Sequence, residues 1–310
     1  METKRGIITI ATGATKYIEM AVNLAMSCKM NSPGLPIALV TDSADPELKK
    51  YFDIIIPSNP DFPKGIIHKI YISDYSPFEE TLFIDGDCLV IRDISMMFDW
   101  FKETNVSAIG KLKTTGKFFG LDFEILKERT GISFIGGING GIYYFKKNER
   151  AKEVFEHAKQ LFLKYDEIGF GRLRGGYNEE GLMAVSMAYY NEKPYDDNGN
   201  GMRTPMGQSG RFEIDILKQH CSFLKNNERV NPAVMHFGGD CLNTFFYKRE
   251  LKKLILARKK ILPKQLISLL VNCVYNVSYV LFVFMYRVAK STLRGAKLKF
   301  TPIMPMYRYE

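Results

Sequence analysis

Short apolar runs and amphipathic stretches take turns along the first 190 residues. Gly6-Ile7-Ile8-Thr9-Ile10-Ala11-Thr12 is a β-rich run that stops at Gly13. Over residues 15–30, Ile18, Ala21, Val22, Ala25 and Met26 recur at helical spacing, and Pro33-Gly34 ends that helix. Pro36 to Asp42 predicts a second strand, Pro46 to Tyr51 a helical piece, and Asp53 to Ile56 a third strand. Residues 64–73 read as helical and lead into Thr81 to Val90, a strand carrying Asp85-Gly86-Asp87. Beyond it come a short helix at Met96 to Lys102, a strand at Val106 to Ile109, a mixed stretch over 111–135, and a strand at Ile142 to Phe145. Amphipathic helices are predicted over 149–165, with His157 on the surface, and over 179–190. Residues 191–210 are rich in Gly, Asn and Pro and predict a long loop, a mobile lid or acceptor loop. Strands alternating with helices predict an α/β fold with a mainly parallel sheet.

Ligands of such sheets sit at the carboxyl ends of the strands. Thr12, Asp42, Asp85 and Asp87 fall at predicted strand ends. On an extended backbone Asp85 and Asp87 point to the same side, and Gly86 permits a sharp turn or close approach of a ligand. Two carboxylates placed so suit a divalent cation that also binds phosphates, although an Asp-Gly turn without a ligand has the same letters. Ile135 to Gly141 is glycine-dense, which fits either a tight turn or a wall lying close to a sugar. Glu179 and Glu180 open a helix, where acidic residues also serve as plain dipole partners. Val234-Met235-His236-Phe237-Gly238-Gly239 ends an apolar run in an imidazole, and an imidazole joining two aspartates suits manganese.

The chain has 310 residues and 46% hydrophobic content, enough for one large domain with an appendage. Its net charge of +9 is uneven. Residues 248–310 carry 14 Lys/Arg against 2 Asp/Glu, a net of +12, which leaves residues 1–247 at −3. Five cysteines without a CxxC pair argue for reduced thiols, and against a disulfide framework or a structural zinc. No signal peptide is expected ahead of the first strand.

Several motifs stand in a recognisable order. Lys69, the run Leu82 to Val90 with its Asp-x-Asp, Asp93-Ile94 and Phe98 come first; Asn139-Gly140-Gly141, Glu179-Glu180-Gly181-Leu182 and His236-Phe237-Gly238 follow. Over about residues 6–240 this set resembles the GT-A glycosyltransferases, specifically the family eight type that includes glycogenin and bacterial galactosyltransferases. The resemblance implies a GT-A, Rossmann-like fold and transfer of a hexose-type sugar from a UDP-sugar to a glycan or lipid-linked acceptor, with retention. It implies that Asp85, Asp87 and His236 hold Mn²⁺ (or Mg²⁺). Thr12 and Tyr17 would meet uracil, and Ala11, Asp42, Gly86 and Gly238 would line the donor site. Asp85 would also reach ribose or sugar hydroxyls, and Lys69 would supply a positive charge near the donor. Asn139 would lie near donor sugar and acceptor, and Glu179 and Glu180 at the reacting centre. Two departures stand out. The family has Asp-Gln where Glu179-Glu180 stands, and it follows the histidine with Lys-Pro-Trp, where this chain reads Asp240-Cys241-Leu242-Asn243. The lysine that grips the diphosphate is thereby missing, with Lys248 and the arginines Arg172 and Arg174 as candidate substitutes.

Residues 1–247 are therefore expected to be the catalytic domain, and 248–310 a basic, helical, membrane-associating region. Leu266 to Tyr286 is 21 residues without a charge, about 31 Å as a helix. Ser268, Asn272 and Asn276 mark one polar stripe along it, which suits a helix in the membrane interface or one packed on a partner, such as a second copy. Basic flanks through residue 299 favour the cytoplasmic face of a membrane, peripheral or with a single C-terminal membrane helix. No module for nucleic acid accompanies them. A second reading keeps the scaffold without strong catalysis, as a membrane-bound glycan-binding or assembly protein. A nucleotidyltransferase would need a glycine- and arginine-rich N-terminal loop that is missing here.

Overall fold

The computed structural model of the chain describes residues 4–292. β1 (Arg5–Ala11), β2 (Ile37–Thr41), β3 (Ile54–Pro57) and β4 (Glu80–Ile84) form the parallel part of a six-stranded sheet. After β5 (Cys88–Val90), β6 (Val106–Lys113) and the hairpin of β7 (Lys117–Phe118) and β8 (Leu121–Asp122), the long β9 (Ile135–Lys146) enters it antiparallel. The order is β3-β2-β1-β4-β9-β6. Neighbouring residues of each central strand go to opposite cores. Ile7, Leu39 and Leu82 pack on α1 (Thr15–Asn31). Ile8, Val40 and Phe83 pack toward α5 (Glu149–Leu163) and α7 (Glu179–Tyr189). Burial on both faces is why these strands read as unbroken apolar runs.

Short helices fill the connections: α2 (Ile72–Tyr75) after a 3-10 segment at Ile66–Tyr71, α3 (Met97–Trp100), α4 (Phe123–Thr130) and α6 (Tyr165–Ile168). β10 (Met202–Arg203), β11 (Gln208–Asp215), β12 (His220–Lys225), β13 (Glu228–Val230) and β14 (Val234–His236) follow α7. β10, β14 and β5 make a second small sheet, and β11, β12 and β13 a third.

Several local expectations change. The run Thr81 to Val90 is not one strand: β4 ends at Ile84, and the chain turns through Gly86-Asp87 and leaves the main sheet to pair β5 with β14. Residues 191–210 are mostly loop, broken by β10 and the start of β11, and are held from within. Asp197, 5% exposed, accepts the backbone N–H groups of Gly199, Gly201 and Met202 and pairs with Arg203, so a buried carboxylate organises the segment from within. His157 is half-buried rather than on the surface; its Nδ1 lies 3.1 Å from Ser186 Oγ and its ring stacks on Tyr189, joining α5 to α7.

The C-terminal region is α8 (Phe245–Arg258) and α9 (Lys264–Thr292). The boundary expected at residue 247 falls inside α8. Tyr247 and Leu254 of α8 and Ile267 and Val271 of α9 share one core with Leu89, Met235 and Phe237 of the body. Glu250 and Lys253 are fully buried, with Lys253 Nζ 3.0 Å from both Glu250 and Asp215. Ser268 and Asn272 donate to the same Asp215, so this part of the polar stripe faces the protein. The opposite face leaves Leu266, Leu269, Leu270, Val274 and Val277 exposed. Among the described residues no helix is long and apolar enough to cross a membrane. Residues 293–299 of the basic stretch lie outside the described residues.

Removing one member of a buried ion cluster strands its partners in low dielectric. Glu250→Ala is expected to cost about 3–5 kcal/mol in urea unfolding, whereas a tail folded apart from the body would leave the main transition unmoved.

Candidate active site

Lys69, from the 3-10 segment beneath β4, sits at the centre of the polar residues at the sheet's carboxyl edge. Its Nζ donates to Asp85 Oδ2 at 2.7 Å, Glu179 Oε1 at 2.9 Å and the Gly140 carbonyl at 3.1 Å. An ammonium has three protons, and all three are committed. The paired carboxylates hold Lys69 well above its ordinary pKa despite burial. Burial pushes Glu179 up to about 7, with Lys69 pulling against it and Asp85 adding to the push. Glu179 Oε2 is buried without a hydrogen-bond partner, as is the Tyr143 hydroxyl nearby.

The second half of the cluster is set by Asn139. Its Oδ1 accepts the Gly141 N–H at 3.0 Å, which identifies that atom as oxygen, because a backbone N–H only donates. The same oxygen lies 3.0 Å from His236 Nδ1, so Nδ1 carries a proton and donates it. In the neutral ring Nε2 then presents its lone pair. That lone pair faces Asp87 Oδ1 at 3.1 Å and Asp85 Oδ2 at 3.8 Å. The Asp87 approach is not aligned as a hydrogen bond, and Asp87 Oδ1 is left buried without a hydrogen-bond partner. Burial and the like charge of Asp87 raise Asp85, against Lys69 and His236. For Asp87 burial is outweighed by His236, which holds it below the usual carboxylate range. His236 is raised in turn, the two aspartates overcoming its burial.

Carboxylates and an imidazole nitrogen at such short range are chemically coherent donors for a divalent cation. Asp87, Cys88 and His236 each offer a ligand atom within 4.8 Å of the others. Cys88 contributes least, because burial and both aspartates raise its thiol far above the ordinary value and disfavour thiolate. Asp85 stands at the edge of this group, its Oδ2 held by Lys69 and 3.8 Å from His236 Nε2.

No family model matches the chain, and no curated protein matches it by sequence. Solved structures do. A galactosyltransferase, LgtC, in complex with donor and acceptor sugar analogues superposes with a TM-score of 0.50 at 15% identity, over 76% of this chain and 87% of that one. The chain has the GT-A glycosyltransferase fold. The glycosyltransferase GlyE of Streptococcus pneumoniae TIGR4 matches with a TM-score of 0.44 at 16% identity, over 63% of this chain and 46% of that one. This chain thus spans about half of that protein's length. Mouse xyloside xylosyltransferase 1 matches with a TM-score of 0.42 at 11% identity, over 65% and 88%.

Within this GT-A fold the expected residues fall into two groups. Ala11, Thr12, Tyr17 and Asp42 gather where β1 and β2 end: Ala11 pairs with Thr41, the Gly13 N–H donates to both oxygens of Asp42, and Tyr17 is exposed on the first turn of α1. Lys69, Asp85, Asp87, Asn139, Glu179, Glu180 and His236 form the connected cluster, with Glu180 accepting the Gly140 N–H at 2.7 Å. Gly238 stands over it, the position of its absent Cβ being 3.3 Å from His236 Nε2.

Three expectations need correction. Asp85 and Asp87 converge through a turn closed by Cys88 N–H on the Asp85 carbonyl, not through strand alternation. Gly86 faces the backbone of α1 at Ala21, so its lack of a side chain serves helix packing. The Gly140-Gly141 wall lies against protein: a Cβ at 140 would meet Glu179 and Tyr143, and one at 141 would meet His236. Tyr143 was missed; it lies in an apolar strand, and its place beside Gly140 is a tertiary fact.

A folded-state pKa raised from 4.5 to about 7 means that the native state holds the Glu179 proton more tightly than the unfolded chain does. The native state is therefore favoured below about pH 4.5 and loses on the order of 3 kcal/mol as pH rises through 7. Glu179→Gln should remove this part of the slope when urea unfolding is compared at pH 5 and pH 8.

Proposed function

We propose that the chain is a metal-dependent glycosyltransferase that moves a hexose-type sugar from a UDP-sugar to a glycan or lipid-linked acceptor, with retention at the anomeric carbon. The observation that carries this reading is the position of His236 Nε2 beside Asp85 and Asp87 at the carboxyl edge of a GT-A sheet. Asp85, Asp87 and His236 would hold Mn²⁺ or Mg²⁺, which when bound neutralises charge on the departing diphosphate. Asn139 keeps the imidazole in the ligating tautomer and orientation. Ala11, Thr12, Tyr17 and Asp42 form the shelf for the nucleoside. Glu179, whose Oε2 is buried and unpaired, would hydrogen-bond the sugar. Lys69 keeps Asp85 and Glu179 in register by holding both.

The outward face of α9 supports a membrane-surface location for the acceptor. Its exposed Leu266, Leu269, Leu270, Val274 and Val277 follow the basic run Arg258, Lys259, Lys260 and Lys264. This is the pattern of a helix lying on anionic lipid, and it fits an enzyme at the cytoplasmic face of a membrane.

Asp87→Asn should abolish metal-dependent hydrolysis and transfer of UDP-sugars while circular dichroism stays unchanged; undiminished turnover would remove Asp87 from the site. Asn139→Ala should weaken Mn²⁺ binding about 10- to 100-fold, read by titration calorimetry. With vesicles of phosphatidylcholine and phosphatidylglycerol, the wild type should co-sediment and Leu269→Glu/Val274→Glu should stay in the supernatant.

A further inference from the structure

The charges around the metal centre do not suffice for a diphosphate. Asp85, Asp87, Glu179 and Glu180 face one lysine, Lys69, and its three protons are all committed to protein acceptors. A divalent cation brings the cluster near neutrality, and a nucleoside diphosphate then adds further negative charge. A second cation is needed on the side of the site open to the ligand.

The loop between α6 and α7 brings one there. Its two feet are clamped by a single hydroxyl: Tyr165 Oη donates to the Gly171 carbonyl at 2.6 Å and accepts the Asn178 N–H at 3.0 Å. Leu173 and Gly176 exchange backbone hydrogen bonds at 2.9 and 3.0 Å, leaving Arg174 and Gly175 as the two central residues of a tight turn. Both have positive φ, 53° and 82°, as such a turn requires. A bulky side chain rarely occupies that conformation, where Asn or Gly is the ordinary choice. From the tip, the Arg174 guanidinium reaches across to the turn that follows β14 and fills the space that a Cβ on Gly239 would need. Gly238, the preceding residue, is the one that stands over His236 Nε2 and Asp87 Oδ2.

Three cations near this loop and the neighbouring sheet are engaged, and Lys248 is exposed on α8. Arg172 pairs with Asp166 and lies over the Tyr177 ring, Arg203 pairs with Asp197, and Lys225 donates to Thr204. Arg174 makes no ion pair or hydrogen bond among the described residues, and its guanidinium lies beside Gly239.

We infer that Arg174 binds the diphosphate of the nucleotide donor from the side opposite Lys69, closing the site between the loop tip and the Gly238-Gly239 turn. A guanidinium there presents paired N–H donors to phosphate oxygens, which suits bidentate capture. The inference rests on the proposed reading of the chain as a nucleotide-sugar transferase.

The test is calorimetric binding of UDP and of UMP, each with Mn²⁺, to the full chain. Arg174→Gln should weaken UDP about 10- to 100-fold and leave UMP within about twofold, because only the second phosphate reaches the loop tip. Arg174→Lys should recover part of the loss, and Arg172→Gln should bind UDP as the wild type does. Equal UDP affinity in Arg174→Gln and the wild type would overturn the inference, as would equal losses on UDP and UMP. A wild-type chain that binds neither nucleotide with Mn²⁺ would overturn the functional reading itself, and this inference with it.

Discussion

One ammonium group keeps the acidic centre of this protein together. Without Lys69, Asp85 and Glu179 would be two buried carboxylates at short range, and burial disfavours the charge on each. Lys69 satisfies both and takes the Gly140 carbonyl as its third acceptor, which ties the end of β4, the start of α7 and the middle of β9 to one point. Glycine at 140 follows from this, because any side chain there would displace Glu179. The geometry of the Asp85 turn, and with it the position of Asp87 opposite His236, depends on this tie.

A second hydrogen-bonded chain runs orthogonally through Asn139. A backbone N–H fixes the amide, the amide fixes the imidazole, and the imidazole directs a lone pair at the carboxylates. The two chains meet at Asp85, which is shared between Lys69 and the His236 side. Neither is strong in isolation, since each bond is an ordinary one; together they leave little freedom to any single group. Such pre-set ligands favour binding of a cation without the cost of ordering long side chains.

The C-terminal helices are part of the same body. Asp215 receives Lys253 from α8 and Ser268 and Asn272 from α9, so that part of the polar stripe docks on the body beside Ile267 and Val271, while Asn276 and several leucines and valines face outward. The inward turn of Ser268 and Asn272 departs from a hydrophobic-in, polar-out rule. It follows from the buried cations and carboxylates of α8, which need polar neighbours more than α9 needs to hide its leucines.

Periodicity alone sufficed for the parallel strands, the long helices and the α/β class, because each is a local pattern repeated over many residues. The set of acidic, amide and imidazole residues was likewise legible, since their order along the chain is distinctive even though Lys69 and His236 lie far apart in it. What no local pattern carried was direction: that Asp85 and Asp87 approach each other through a turn, that Gly86 packs on α1, that Asp197 ties its loop from within, and that Ser268 and Asn272 of α9 point inward. Each of these depends on a partner distant in sequence, and a buried polar group takes its orientation from whichever partner the tertiary fold brings within hydrogen-bond reach.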